Sequence, residues 1–146
     1  KDELENLQRG LYDNGEEAYR KTAGAFEENL IKDGKEELWD IWGEQILVFF
    51  VYTYFCGAVY DNMVYSKAVL SVFSVIWIRE ISMKRCCIQN EPVDLETVCR
   101  TAWEFAREIE HSDQNLDFLE EIFSVSELYF PENFLPGLVA GKEVRL

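Results

Sequence analysis

The chain has 146 residues, of which 48% are hydrophobic and 14% aromatic, which is enough apolar material for the core of one domain. Such a composition excludes an intrinsically disordered chain. The 28 acidic residues outnumber the 14 Lys and Arg residues, and the formal net charge of -14 repels the phosphate backbone of nucleic acids. We therefore expect no nucleic-acid partner; the charge serves either solubility or a cationic partner.

The charge is concentrated at the two ends of the chain. Residues 1–45 hold 6 basic and 13 acidic groups, and residues 86–146 hold 4 and 13. The middle, residues 46–85, is apolar and holds only 4 basic and 2 acidic groups. This distribution predicts a core helix hairpin flanked by acidic, amphipathic helices.

Apolar residues three or four positions apart run through almost the whole chain, which predicts helices. The spacing of leucines over 4–11 predicts a short first helix. A capping box at Asn14 begins a second helix, which runs to about Lys32. A further capping box, formed by Asp33 and Glu36, begins the third helix.

The third helix becomes apolar on all sides from Ile46 onward, which predicts burial on every side. Asp61 and Asn62 interrupt the apolar run, and Asn62 is the predicted cap of a fourth helix over residues 63–85.

Asp94 is the predicted cap of a fifth helix, and Ser112 or Asp113 begins a sixth. Prolines and glycines make the tail, residues 131–146, irregular. We predict one all-α domain over residues 1–146, a bundle of five to six helices around a central apolar antiparallel hairpin. Because the sequence does not begin with Met, we expect Lys1 to be an internal residue of a longer protein.

The two longest uncharged runs are too short for a transmembrane helix. Residues 45–60 are uncharged over 16 positions and residues 68–78 over 11, whereas a spanning helix needs about 20 predominantly apolar residues. Both runs are therefore predicted to be buried core helices, and no membrane partner is expected.

The cysteines show no metal-binding spacing. Cys56, Cys86, Cys87 and Cys99 form no CxxC pair and have no companion histidine at zinc-finger spacing. Free structural thiols in a reducing compartment are the favoured interpretation, and they indicate a cytoplasmic protein. A redox or metal pair at Cys86 and Cys87 is the alternative.

The usual catalytic motifs are missing: there is no glycine-rich phosphate loop and no GxSxG motif, and a single histidine excludes HExxH and di-iron sites. The densest polar stretch runs from Arg107 through Glu110 and His111 to Asp113. One interpretation is that this stretch contains the end of the fifth helix and the N-cap of the sixth. The other is a site at which His111, with Glu110 or Asp113, contacts a ligand or a partner domain.

Two further features are candidates for binding. Arg79 and Glu80 form a charged pair within the apolar fourth helix and are either solvated or paired with another helix. Aromatic residues of the third helix either line a small-molecule cavity or belong to the core. These aromatic residues are Trp39, Trp42, Phe49, Phe50, Tyr52, Tyr54 and Phe55.

Two segments, residues 59–80 and 102–116, resemble the C-terminal helical region of the flagellin lysine-N-methylase family. The most specific part is Glu-His-Ser-Asp-x-Asn-Leu at residues 110–116, and the resemblance covers roughly residues 49–123. The motif positions that the resemblance marks as candidate ligand or partner contacts are Tyr65, Arg79, Glu80, Trp103, Arg107, Glu110, His111 and Asp113.

The resemblance implies a bacterial, cytoplasmic protein that takes part in the methylation of flagellin lysines by S-adenosylmethionine. Family members carry a cysteine-rich N-terminal region of the kind that holds an iron–sulfur cluster, and this chain lacks that region. The resemblance thus implies that the chain is the C-terminal fragment of a longer protein. This fragment would be a scaffold or substrate-docking domain that holds no cofactor and is not catalytically competent alone. Its expected partners are the upstream cysteine-rich domain and a lysine-bearing protein such as flagellin. The alternative is a free-standing helical ligand-binding or interaction module.

Overall fold

The computed structural model describes residues 15–110 and 113–133, and none of these residues lies in a strand. The predicted all-α class is confirmed. The predicted first helix (4–11), the Asn14 cap and the tail from residue 134 lie outside the described residues. Within the described ranges the helices are α1 (Gly15–Lys32), α2 (Glu36–Tyr54), α3 (Ala58–Asp61), α4 (Val64–Ile88), α5 (Leu95–Glu110) and α6 (Asp113–Val125), with 3-10 turns at Phe55–Gly57 and Glu127–Tyr129.

Helix α4 lies at the centre of the bundle and packs against α1, α2, α5 and α6. It runs antiparallel to α2. The Ser71 hydroxyl, early in α4, donates a hydrogen bond of 3.3 Å to the carbonyl oxygen of Phe50. Later in α4, the Arg79 guanidinium lies 5.6 Å from the ring centroid of Trp39. The residue numbers therefore run in opposite directions, which confirms the predicted antiparallel hairpin.

The buried apolar side chains form two clusters, one toward each end of the α2–α4 hairpin. The first cluster contains Phe26, Leu30, Trp39, Met83, Cys86, Val93 and Val98. The second contains Phe50, Tyr54, Val69, Leu70, Ile78, Phe105, Ile109 and Phe123. The second cluster is rich in ring contacts, because aromatic side chains of α2, α4, α5 and α6 meet there.

The prediction that α2 is buried on every side is wrong. Phe50 is fully buried, whereas its neighbour Phe49 is 53% exposed and Tyr52 is 74% exposed. The physical reason is that the neighbouring helices cover one side of α2 only. Among the described residues one stretch, Glu36–Asp61, is long and apolar enough to cross a membrane by length and composition alone, and 17% of its most apolar window is buried. The length predicted from the sequence was that of the uncharged run alone, residues 45–60, whereas the helical stretch that contains this run spans Glu36–Asp61.

The turn between α1 and α2 forms the C-terminal cap of α1, and it provides no side-chain cap for α2. Gly34 has a left-handed φ of 62°. Its N–H donates to the Ile31 carbonyl at 3.0 Å, and the Lys35 N–H donates to the Leu30 carbonyl at 2.9 Å. This is a Schellman motif, for which glycine is favoured. The predicted cap at Asp33 is therefore wrong, because α2 begins without a side-chain cap.

The cap predicted at Asn62 is also wrong. Asn62 has a left-handed φ of 62° and ends α3. The carboxylate of Asp61 instead accepts a hydrogen bond of 2.9 Å from the Met63 N–H just before α4. This bond is the main reason why the pKa of Asp61 is lower than usual.

The cap predicted at Asp94 is confirmed, because its Oδ1 accepts a hydrogen bond of 2.8 Å from the Thr97 N–H. We expect Asp94→Ala to lower the free energy of unfolding by about 1 kcal/mol, whereas Asp94→Asn keeps the bond. The Thr97 bond lowers the pKa of Asp94 below 3.8. Its contribution to stability is therefore present above that pH and is lost as the pH falls through the folded-state pKa. Urea unfolding at neutral and acidic pH measures both effects; equal stability of the two variants would contradict the cap.

Candidate functional site

The polar stretch after Arg107 coincides with the junction between two helices. Helix α5 ends at Glu110 and α6 begins at Asp113, so the predicted helix end and start are confirmed. His111 and the side chains of Glu110 and Asp113 lie outside the described parts of the structure. Their role in ligand or partner contact stays a prediction.

Trp103 and Arg107 form a pair on the outer face of α5. The guanidinium carbon of Arg107 lies 4.8 Å from the ring centroid of Trp103, within the range of a cation–π interaction. Trp103 is 59% exposed, and Arg107 is exposed as well. The pair is therefore a surface feature.

Arg79 and Glu80 connect α4 to two different helices. Arg79 lies over the Trp39 ring of α2, while Oε1 of Glu80 accepts a hydrogen bond of 2.8 Å from the Tyr19 hydroxyl of α1. Burial raises the pKa of Glu80, although the Tyr19 bond and the Arg79 charge act against it. The second carboxylate oxygen, Oε2, is buried and has no hydrogen-bond partner among the described residues. Both side chains thus contribute to packing between helices.

Tyr65 joins the start of α4 to the end of the described chain, because its hydroxyl donates a hydrogen bond to the Tyr129 carbonyl. The predicted site residues with described side chains consequently lie in three places: at Tyr65, at the Arg79–Glu80 pair and at the Trp103–Arg107 pair. Each place contacts different elements, and the described contacts do not bring the three together.

The adjacent thiols of Cys86 and Cys87 contact different parts of the chain. The Cys86 Sγ lies 3.7 Å from the Pro92 carbonyl, and the Cys87 Sγ lies 3.7 Å from the Thr22 carbonyl. In the described ranges no group of three or more His, Cys, Asp or Glu residues could hold a metal ion. An iron–sulfur cluster needs several converging thiolates, so these donors do not fit one.

The four thiols should differ strongly in reactivity. Burial raises the pKa of Cys86 to about 12 and also raises that of Cys87, whereas Cys56 and Cys99 are exposed. Because the thiolate is the nucleophile, we expect iodoacetamide at about pH 8 to alkylate Cys56 and Cys99 first and Cys86 last. Peptide mapping by mass spectrometry measures the order, with the denatured chain as control. Fast alkylation of Cys86 in the folded chain would contradict the structure.

Lys67 of α4 forms a buried ion pair with Glu120 and a second ion pair with the exposed Asp61, and sequence reasoning missed this cluster. The Lys67 ammonium lies 2.7 Å from Oε1 of Glu120 and 3.0 Å from Oδ2 of Asp61. The side chains of Lys67 and Glu120 are 10% and 8% exposed. Lys67 and Glu120 are 53 positions apart, so no local pattern signals the contact. The cluster connects the start of α4 to α6.

A second buried cation, Arg85, connects the end of α4 to α5. Its guanidinium donates a hydrogen bond of 3.1 Å to the Thr101 hydroxyl and pairs with the carboxylate of Glu104. Lys67 and Arg85 thus each have a carboxylate partner, as buried charges require. These pairs connect α4 to α6 and to α5.

The aromatic residues of α2 and of the 3-10 turn after it do not line one cavity. Trp39, Phe50 and Tyr54 are buried against the rest of the bundle, and Trp42 is partly buried. The remaining three are exposed on the other side. They are Phe49, Tyr52 and Phe55.

The exposed side of α2 is the largest departure from the expected core. Apolar side chains such as Ile41 and Val48 are 43% and 44% exposed there. Exposed acidic residues, Glu37, Asp40 and Glu44, lie on the same helix. No Lys or Arg occurs anywhere in residues 36–66. An exposed apolar surface bordered by polar residues is typical of an interaction site for a protein or a membrane.

Comparison with known proteins gives a family. No match is found among the curated proteins or among the solved structures. A family model, described as the FliB lysine N-methylase C-terminal domain, matches residues 1–135. The match is wider than the 49–123 region that carries the resemblance in the sequence. The chain therefore belongs to the FliB lysine N-methylase C-terminal domain family.

Proposed function

We propose that this domain docks a lysine-bearing protein substrate for a lysine N-methylase, and that methyl transfer takes place in another part of that enzyme. The observation that carries the proposal is the exposed side of α2, where apolar and acidic residues occur without a basic one between residues 36 and 66. Family membership supplies the enzymatic context.

The charge of the chain suits such a substrate. A lysine side chain carries a compact positive charge, and a net charge of -14 attracts it over long range. This attraction steers the encounter and weakens as salt rises, because the Debye length shortens. The apolar residues of α2 supply the contact area that holds the complex once it has formed.

The proposal also assigns the remaining parts of the enzyme. The upstream cysteine-rich domain is proposed as the neighbour of this domain, in a bacterial cytoplasmic enzyme. S-adenosylmethionine would supply the methyl group, and any iron–sulfur cluster would belong to that upstream domain. No residue of the present chain is assigned to either group, because the described cysteines do not converge.

Binding and kinetics together test this function. We expect the chain to bind flagellin, as the trial substrate, in isothermal titration calorimetry, with an affinity that falls as salt rises from about 50 to about 500 mM. Deleting the domain from the methylase should raise KM for the protein substrate and leave kcat nearly unchanged, since a docking contact is made equally in ground and transition states. Absence of binding at low salt, or an unchanged KM, would overturn the proposal.

A further inference from the structure

We propose that the exposed side of α2 binds a partner α-helix that carries apolar residues at heptad spacing, flanked by Lys or Arg. The basis is a row of exposed residues along α2 and into the 3-10 turn that follows it, here called the α2 seam, whose spacing alternates between three and four positions. The α2 seam consists of Leu38, Ile41, Gln45, Val48, Tyr52 and Phe55.

The spacing of the α2 seam is that of the a and d positions in a coiled coil. A row of a and d residues is the contact line between two paired helices. Phe49 and Val51, beside the row, are 53% and 36% exposed and widen the apolar surface. Four of the five apolar seam residues are 38–45% exposed, and Tyr52 is 74% exposed. Gln45 supplies one polar a position, a feature that fixes register in paired helices. The geometry therefore fits one helix laid along α2.

The size of the surface fits a small, transient contact. At an area on the order of 100 Å² for each exposed apolar side chain, the five apolar seam residues offer roughly 500 Å², which is less than the area of about 800 Å² per partner in a standard stable interface. Val59 and Tyr60, just beyond the seam, are 81% and 90% exposed and extend the apolar surface. Large aromatic side chains such as Tyr52 are the residues that dominate binding energy at interfaces.

The charges beside the α2 seam indicate the charge of the partner. Glu37 and Glu44 occupy the g positions of the same heptads, where residues select the partner by ion pairing. Both are exposed. Since no Lys or Arg occurs in residues 36–66, a helix with basic flanking residues is attracted and one with acidic flanking residues is repelled.

The same charges disfavour two other binding partners of the α2 seam, a second copy of the chain and a membrane surface. A second copy of this chain would also carry a net charge of -14, so two copies repel each other. Helices that lie on membranes carry Lys and Arg on the polar face, and α2 has neither. A basic amphipathic helix of a protein partner is the occupant that the charges favour. Identifying that helix as part of the methylated protein rests on the proposed function; the binding surface itself does not.

Two matched synthetic peptides test the inference. Each has three heptads with Leu at a and d, one with Lys and the other with Glu at e and g. We expect the Lys peptide to bind the chain in calorimetry and the Glu peptide not to bind. Tyr52→Glu should weaken binding of the Lys peptide by about tenfold or more. The matched control is Phe118→Glu, which alters a 62% exposed side chain of α6 and should bind like the unaltered chain.

A charge reversal makes the test sharper. The double variant Glu37→Lys, Glu44→Lys should lose affinity for the Lys peptide and gain affinity for the Glu peptide. Equal loss in the Tyr52 and Phe118 variants, or no change on charge reversal, would overturn the inference. So would dimerisation of the chain through Tyr52 in light scattering, or Tyr52-dependent binding to phosphatidylserine vesicles.

Flagellin in the same titrations separates this inference from the proposed function. If the Lys peptide binds at the α2 seam and flagellin does not bind, the inference stands and the proposed function fails. If flagellin binds with the same affinity to the unaltered chain and to Tyr52→Glu, the proposed function is supported, but flagellin does not bind at the α2 seam.

Discussion

Replacement of Lys67 by Met is expected to lower the free energy of unfolding by about 3–5 kcal/mol, because it leaves the carboxylate of Glu120 buried without its cation. The Glu120 side chain is only 8% exposed, and the Lys67 ammonium lies 2.7 Å from it. Urea unfolding followed by circular dichroism measures the change. The double variant Lys67→Met, Glu120→Leu removes both charges and should recover most of the loss.

The pH dependence gives an independent check on this cluster. Burial lowers the pKa of Lys67, but the hydrogen bonds to Glu120 and Asp61 outweigh it and raise the pKa above 10.5. The stabilisation is therefore complete below that pH and is lost as the pH rises through the folded-state pKa. A Lys67→Met variant with normal stability at neutral pH would show that the charge is not buried as described.

The pair Phe50→Ala and Phe49→Ala should separate the two faces of α2. Phe50 is fully buried and its ring lies 5.8 Å from that of Phe105, so its truncation is expected to cost about 3–5 kcal/mol of unfolding free energy. Phe49 is 53% exposed and its ring lies 5.2 Å from that of Phe50, so its truncation should cost only about 1 kcal/mol, the contribution of one aromatic pair. Thermal and urea unfolding of both variants measures the difference.

Adjacent positions and identical chemistry make Phe49 a close control for Phe50. Equal destabilisation by the two substitutions would mean that α2 is enclosed on both sides, as the sequence alone predicts. The surface on which the docking proposals rest would then not exist. A large effect at Phe50 alone supports a one-sided α2 whose outer face is available for a partner.

Helix positions follow from the sequence because their signals are local. Periodicity of apolar residues and the cap at Asp94 predict the start of α5, and the polar residues at 61 and 62 predict the break before α4. The individual cap residues are less predictable. Asn62 and Gly34 adopt left-handed backbone conformations that end the preceding helix, and the same residue types also occur at helix starts.

The exposure of α2 could not be predicted, because both of its faces are apolar. A helix with Phe50 on one side and Tyr52 on the other gives no amphipathic contrast in its sequence. Which face is buried depends on where α4 packs, and that is a property of the whole fold. The strict three-and-four spacing of the α2 seam was the available signal, and it becomes informative once the buried face is known.

The sequence identified individual candidate site residues, but it did not indicate which of them lie close together in the fold. Trp103 and Arg107, four positions apart on one helix, do meet on the surface of α5. Arg79 and Glu80 are adjacent in sequence yet reach different helices, because neighbouring helical residues point about 100° apart. The long-range partnership of Lys67 with Glu120 has no counterpart in local spacing.

Methyl NMR spectroscopy can show whether a lysine-bearing protein docks on the outer face of α2. Spectra of the Ile-, Leu- and Val-labelled chain are recorded during titration with flagellin. We expect chemical-shift changes concentrated at Ile41 and Val48 on the α2 seam, with the buried Ile78 unaffected. Shifts centred on α5 beside Trp103, with Ile41 and Val48 unchanged, would contradict docking on α2.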